Sequence, residues 1–151
     1  MLQKEALQIL QTGANVFLTG APGAGKTHVL NQYIEYLKEH AITVAVTAST
    51  GIAATHVGGV TIHSWAGIGI KDDMSQDELA GMVEKKYLHK RFRDTQVLVI
   101  DEISMLSGGT LDLVNKVCKK FKNDTRPFGG LQVVLVGDFF QLPPISKGGE
   151  A

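Results

Sequence analysis

One glycine-rich segment has the composition and spacing of a phosphate-binding loop. Residues 20–27 run Gly-Ala-Pro-Gly-Ala-Gly-Lys-Thr, which matches the pattern G-x-x-x-x-G-K-[ST]. Glycines let backbone N–H groups curl around phosphate oxygens, and a helix that begins at the loop adds the favourable end of its dipole. The sequence therefore predicts a nucleotide cradle built from Gly20, Pro22, Gly23, Ala24, Gly25, Lys26 and Thr27.

Two side chains at the end of this loop suit a nucleoside triphosphate and its metal. Lys26 is expected to reach the β- and γ-phosphates, and the Thr27 hydroxyl to coordinate Mg²⁺. The alternative is a strand-to-helix turn in which the Lys-Thr pair is incidental. The apolar run before the motif and the helical pattern after it favour phosphate binding.

An acidic pair, Asp101-Glu102, follows the apolar run at 97–100. Beside a phosphate loop, Asp101 is expected to hold Mg²⁺ through water and Glu102 to polarise the attacking water. Two solvated acids at a strand end are the alternative, but a carboxylate next to a buried strand needs a partner. We therefore predict catalytic roles for Lys26 and Glu102, and magnesium ligands at Thr27 and Asp101.

The segment 137–144, Gly-Asp-Phe-Phe-Gln-Leu-Pro-Pro, follows the last apolar run. A glutamine near the γ-phosphate can distinguish ATP from ADP by hydrogen bonding and then shift its loop, so Gln141 is a third catalytic candidate. The paired prolines stiffen the exit from the sheet. A turn that carries Gln141 by chance is the alternative.

Four short apolar runs, at 16–18, 44–46, 97–100 and 133–136, predict the strands that position these residues. They are continuous rather than alternating, which is typical of strands buried on both faces of a parallel sheet. Between the first two runs, apolar residues recur at helical spacing, which predicts a helix with one apolar face: Val29, Leu30, Tyr33, Ile34 and Leu37. The pattern predicts an α/β fold, and a nucleotide at the carboxyl ends of the strands would meet all four segments.

Composition limits the class of protein. A length of 151 residues with 44% hydrophobic residues fits one domain with an ordinary core. Cys118 is the single cysteine, which excludes an intrachain disulfide and suits a reducing, intracellular compartment. No apolar run approaches the roughly 20 residues that span a bilayer, so we expect no membrane partner. Fifteen basic and fifteen acidic residues cancel, and net charge gives no indication of nucleic acid.

Together these motifs resemble the PIF (petite integration frequency) family of superfamily 1B DNA helicases. The resemblance extends from about Gln3 to Lys147 and is carried by the segments 47–54, 58–67, 101–105, 127–132 and 137–144. Its narrowest matches are the Asp-Glu-Ile-Ser-Met form at 101–105 and the Phe-Gly-Gly stretch before 137–144. It implies a RecA-like P-loop NTPase domain with a predominantly parallel sheet flanked by helices. It also implies ATP and Mg²⁺ as cofactors, and ATP-driven translocation 5′ to 3′ on single-stranded DNA.

The resemblance also implies roles for single residues. Gln3, seventeen residues before Gly20, stands where the family has an adenine-reading glutamine, although a solvated surface glutamine is the alternative. Gln141 belongs to the motif that couples the γ-phosphate to the grip on DNA. The predicted DNA contacts lie in two segments near strand ends, where hydroxyls and backbone N–H groups can bind phosphates: Thr47, Ser49, Gly51, Thr61, His63 and Ser64.

Two further features near these segments favour less specific interpretations. Trp65 is expected to be a core aromatic rather than a base-stacking residue, because apolar residues flank it, and a satisfied buried histidine is the alternative for His63. Residues 85–93 are rich in lysine and arginine with Tyr87 and Phe92 interleaved. A solvated helix face explains most such patches, and attraction to phosphates is the competing interpretation.

A helicase of this kind closes its ATP site with a second RecA-like domain, which supplies an arginine. Only Arg91, Arg93 and Arg126 are present, none in a recognisable motif. We therefore expect residues 1–151 to be the first motor domain alone, which binds ATP, hydrolyses it slowly and does not unwind DNA. The competing predictions are a P-loop GTPase or small-molecule kinase, and a nucleotide-gated interaction module without turnover.

Overall fold

The computed structural model describes residues 2–20, 25–69 and 73–138, which form one parallel sheet between two helical layers. Its five strands lie in the order β1-β5-β4-β2-β3, and every neighbouring pair is parallel. The strands are β1 (Val16–Gly20), β2 (Val44–Ala48), β3 (Val60–Thr61), β4 (Val97–Asp101) and β5 (Gln132–Asp138). The predicted α/β architecture is confirmed.

Helices connect the strands as parallel crossovers require. They are α1 (Gln3–Gln11), α2 (Lys26–Glu39), α3 (Gly51–His56), α4 (Ile62–Ala66), α5 (Gln76–Met82), α6 (Lys86–Asp94) and α7 (Gly108–Lys122), with short 3-10 helices at Ile103–Met105 and Pro127–Gly130. No helix in these described stretches is long and apolar enough to cross a membrane.

Different helices cover the two faces of the central strands. Val97 and Val99 of β4 pack with the apolar face of α2, including Leu30 and Tyr33. The alternate residues of β4, among them Ile100, pack on the opposite face against α4, α6 and α7. Because successive side chains of a strand point to opposite faces, the continuous apolar run of β4 is the pattern that a sheet covered on both sides requires.

The first strand departs from the prediction that all four apolar runs are buried on both faces. β1 lies at an edge of the sheet and pairs only with β5 among the described strands. Phe17 at its centre is 58% exposed. The prediction was wrong for this strand because an apolar run of three residues cannot indicate whether a helix covers its second face.

The strand register brings the predicted functional segments to one edge. Gly20 at the end of β1 lies opposite Asp138 at the end of β5, and Ala48 at the end of β2 lies opposite Asp101 at the end of β4. The carboxyl ends of the parallel strands therefore converge, as the sequence predicted.

Candidate nucleotide-binding site

The end of the glycine-rich loop has the backbone geometry of an anion site. Gly25 has φ 87° and ψ 13°, a left-handed conformation that is strained for residues with a Cβ. Helix α2 begins at the next residue, and no side chain caps it. The first N–H groups of a helix have no partners within the helix, so this end of α2 offers donors and a positive dipole to an anion.

Lys26 lies between the ends of two strands. Its Nζ donates to the carbonyl oxygen of Gly20 over 3.0 Å and to Oδ1 of Asp138 over 2.5 Å. The two paired side chains are only 12% and 19% exposed. Asp138 lies within the segment 137–144, but the sequence pattern predicted no role for it. Its position at the end of an apolar run was the available signal. The contact with Lys26 joins residues 112 positions apart.

The acidic pair occupies the next strand end. Oδ1 of Asp101 accepts a hydrogen bond from the Glu102 N–H over 2.8 Å. Burial raises the pKa of Asp101, the Glu102 N–H lowers it, and the nearby Asp138 carboxylate raises it further, while Lys26 lowers it. The net result is a raised pKa, mainly through burial, and a cation bound beside the carboxylate would lower it.

These residues line one cavity of about 650 Å³. Its walls come from the first turns of α2 and the ends of β4 and β5, and they include Lys26, Thr27, Asp101, Glu102 and Asp138. A cavity of this size can hold a nucleotide, since ligand sites span about 300–1,000 Å³. The predicted phosphate, metal and water-activating residues therefore meet in one place.

Gln3 lies beside this loop. A Cβ built on Gly25 would lie 2.0 Å from Nε2 of Gln3, so the glutamine amide rests against the loop end. Gln3 is the first residue of α1 and is exposed. The structure thus brings it to the phosphate loop, and adenine contact stays a prediction. Four predicted site residues, Pro22, Gly23, Ala24 and Gln141, lie outside the described residues.

Two of the six predicted DNA residues are buried and hydrogen-bonded at the ends of β2 and β4. The Thr47 hydroxyl donates to the carbonyl oxygen of Val99 over 2.7 Å, and the Ser49 hydroxyl donates to that of Glu102 over 2.7 Å. Thr47 is fully buried and Ser49 is 7% exposed. These hydroxyls join β2 to the end of β4, a role that the sequence did not indicate.

The other four predicted DNA residues lie at or near the surface. Gly51 and Ser64 are exposed, and Thr61 and His63 are partly exposed. Thr61 caps α4, because its hydroxyl accepts from the N–H of Ser64 over 3.2 Å. Trp65 is 6% exposed, which confirms the prediction that it is a core aromatic.

A GTPase typically reads guanine through an Asn-Lys-x-Asp motif, whereas the one Asn-Lys pair of this sequence, Asn115-Lys116, is followed by Val117 and Cys118. Asn115 lies in α7, where its Oδ1 accepts from the Phe128 N–H over 2.7 Å. This side chain anchors the turn before β5 and is not among the residues that line the cavity.

The fold and the site define a P-loop nucleotide-binding domain of the RecA-like type. The family model for PIF1-like helicase matches residues 3–151. The chain is 57% identical to the ATP-dependent DNA helicase Pif1 of Psychrobacter over its whole length, which is 23% of that relative. The chain therefore belongs to the PIF1-like helicase family, as the sequence motifs predicted.

Solved structures of Pif1 helicases have the same fold as this chain. The crystal structure of Pif1 helicase from Candida albicans superposes with a TM-score of 0.87 at 41% identity, over 95% of this chain and 33% of that one. Pif1 helicase from Bacteroides in complex with ADP-AlF3 and ssDNA gives 0.75 at 34% identity, over 99% of this chain and 35% of that one. The chain thus spans about a third or less of these relatives.

Proposed function

We propose that this chain is the first RecA-like motor domain of an ATP-dependent DNA helicase that translocates 5′ to 3′ on single-stranded DNA. The meeting of Lys26, Asp101 and Glu102 in one cavity at the uncapped start of α2 carries this proposal. Family membership supports it, since relatives are named ATP-dependent DNA helicases and one was crystallised with ADP-AlF3 and ssDNA.

The residues at the cavity fit ATP with Mg²⁺. In NTPases Mg²⁺ takes one or two protein ligands and completes its shell with phosphates and water. Thr27 and Asp101 supply such a sparse donor set, and no cluster of three or more His, Cys, Asp or Glu suited to a metal occurs in the described parts of the chain. The bound ion would neutralise charge on the phosphates.

The side chains then have separate tasks. Lys26 exchanges its contact with Asp138 for the phosphates, Glu102 orients the attacking water and accepts its proton, and Gln141 senses the γ-phosphate. Gln3 contacts the adenine. On the DNA side, Thr61, His63, Ser64 and Gly51 form the surface to which phosphates bind, and Thr47 and Ser49 stay candidates from the sequence.

Replacing Lys26 tests the nucleotide site. Lys26→Ala removes the cation that meets the phosphates, so affinity for a non-hydrolysable ATP analogue with Mg²⁺ should fall at least tenfold, about 1.4 kcal/mol or more. Isothermal titration of the 151-residue chain measures this, with competition by GTP to identify the base. Lys38→Ala, at the other end of the same helix, is the matched control. Unchanged affinity in Lys26→Ala would mean that the cradle is misassigned.

A second candidate function is a nucleotide-gated interaction module without significant turnover. The absence of arginine from the residues lining the cavity in the described structure favours it for this chain taken alone. In P-loop enzymes an arginine contributes about 10³–10⁵ in rate, and here a second RecA-like domain of the parent polypeptide would supply it. Phosphate release with and without single-stranded DNA separates the two functions, since only a motor domain is stimulated by DNA.

A further inference from the structure

Tyr87 is an exposed aromatic residue at the start of α6. It is 59% exposed, although the ring is not free on every side. The guanidinium carbon of Arg91, one turn later, lies 5.5 Å from the ring centroid. This cation–π contact fixes the orientation of the ring and leaves most of its surface open to solvent.

Arg91 is itself held by α4. Its Nη1 donates to the carbonyl oxygens of Ser64 over 3.2 Å and Trp65 over 2.6 Å. Both carbonyls belong to the last turn of α4, where the helix dipole favours a cation. One guanidinium therefore connects the Tyr87 ring to the helix that carries the predicted DNA residues His63 and Ser64.

Buried aromatic rings pack α4 against α6. Phe92 is fully buried, and its ring centroid lies 4.7 Å from that of Trp65 and 4.7 Å from that of Phe121. The two interleaved aromatics of this segment thus have different roles, since Phe92 belongs to the core and Tyr87 to the surface. A ring on a rigid support loses little side-chain entropy when it binds.

The charge around Tyr87 is complementary to a nucleic acid. Three lysines are exposed here: Lys85 is the N-cap of α6, and Lys86 and Lys90 lie within the helix. Arg93, in contrast, is paired with Asp94 at 3.2 Å. Cations that track a phosphate backbone beside an exposed ring are the combination with which proteins bind single strands. The interpretation of this segment as a solvated helix face does not explain why Arg91 holds an exposed aromatic ring in place.

We propose that Tyr87 stacks on a base of single-stranded DNA and that Arg91 is the positioning residue that holds the ring beside α4. The DNA path then runs from Thr61, His63 and Ser64 onto the start of α6. This inference rests on the proposed DNA-binding function and adds to it a base contact outside the segments that the family motifs indicate.

The test is fluorescence anisotropy of a labelled single-stranded oligonucleotide with the 151-residue chain at fixed salt. Tyr87→Ala should weaken binding roughly tenfold, within the range for one stacked base, and Tyr87→Phe should stay within about twofold because it keeps the π-face. The slope of affinity against salt should not change, since stacking releases no counterions, whereas Lys86→Ala should reduce it. Phe17→Ala, an equally exposed ring at the opposite edge strand, is the control.

An oligonucleotide series with a single abasic site at each position identifies the base. One position should weaken binding of the wild type and have no effect on Tyr87→Ala or Arg91→Gln, a loss of discrimination that a purely structural role of Arg91 would not produce. Wild-type affinity in Tyr87→Ala would overturn the inference while leaving DNA binding intact. Failure of the wild type to bind DNA at all would remove the proposed function, and the inference with it.

Discussion

Glu102 is a charged residue in a left-handed backbone conformation, with φ 55° and ψ 45°. Such a conformation costs a residue with a Cβ roughly 1–2 kcal/mol and persists where neighbouring contacts hold it. Three hydrogen bonds do so here: the Glu102 N–H donates to Asp101, and its carbonyl oxygen accepts from the Ser49 hydroxyl and from the Met105 N–H. The strain turns the chain sharply at the end of β4, so that both acidic residues line the cavity.

Glu102→Gln tests the task assigned to this carboxylate. The amide has the same shape but cannot accept the proton of the attacking water, so hydrolysis should fall by about 10²–10⁴ while nucleotide affinity stays within a few-fold. Phosphate release and analogue titration measure the two quantities. Glu84→Gln, an exposed residue before α6, is the control. Retained turnover in Glu102→Gln would take Glu102 out of the role of water activator.

At the scale of elements, the end of β2 is tied to the end of β4 by more than the strand ladder. The Ser49 N–H donates to the Asp101 carbonyl oxygen over 3.1 Å, while the hydroxyls of Thr47 and Ser49 reach Val99 and Glu102. A displacement of the end of β2 would therefore change the backbone position of Asp101 and Glu102. This connection places the predicted DNA segment and the predicted catalytic residue on the same pair of strands.

Ser49→Ala separates the structural role of this hydroxyl from the predicted role in DNA binding. The carbonyl oxygen of Glu102 loses its side-chain donor in a partly buried position, so the free energy of unfolding should fall by about 1–2 kcal/mol. Urea denaturation measures it, and slower hydrolysis should accompany the loss. Ser64→Ala, whose side chain is exposed, should retain stability and lose DNA affinity. Full stability of Ser49→Ala with reduced DNA affinity would instead support direct phosphate contact by Ser49.

The elements differ in how far their sequence predicts them. Continuous apolar runs identified β1, β2, β4 and β5, and helical spacing identified α2, because each of these elements has enough apolar side chains to form a recognisable pattern. β3 has two residues, too few for any pattern. The strand order, and contacts such as that of Lys26 with Asp138, depend on pairing between distant segments, which local periodicity does not encode. Whether a hydroxyl such as that of Thr47 points across the sheet or outward is likewise undetermined by its position.

At the scale of the whole molecule, the predicted nucleotide and DNA residues both lie around the carboxyl ends of the strands, supported by two large hydrophobic cores and a small third cluster of Ala48, Ala53 and Ala54. No arginine is among the described residues that line the nucleotide cavity. The two predicted sites therefore share one edge of the sheet. The chain spans a third or less of the length of the relatives that are named Pif1 helicases.

Cys118 offers a measure of this coupling between binding and the whole fold. It is fully buried in α7, and burial raises the pKa of its thiol to about 12. The thiolate is the reactive form, so alkylation at pH 8 should proceed only through molecules that open.

Because a ligand that binds only the native state lowers the open population, ATP analogue with Mg²⁺ at about 100 times its Kd should slow labelling of Cys118 roughly 100-fold, equivalent to about 2.7 kcal/mol. Mass spectrometry follows the label over time, and Lys26→Ala should show no more than about tenfold protection at the same ligand concentration, because its Kd is at least tenfold weaker. Rapid labelling of the native wild type, at the rate of the urea-unfolded chain, would contradict both the burial of Cys118 and its use as a reporter of stability.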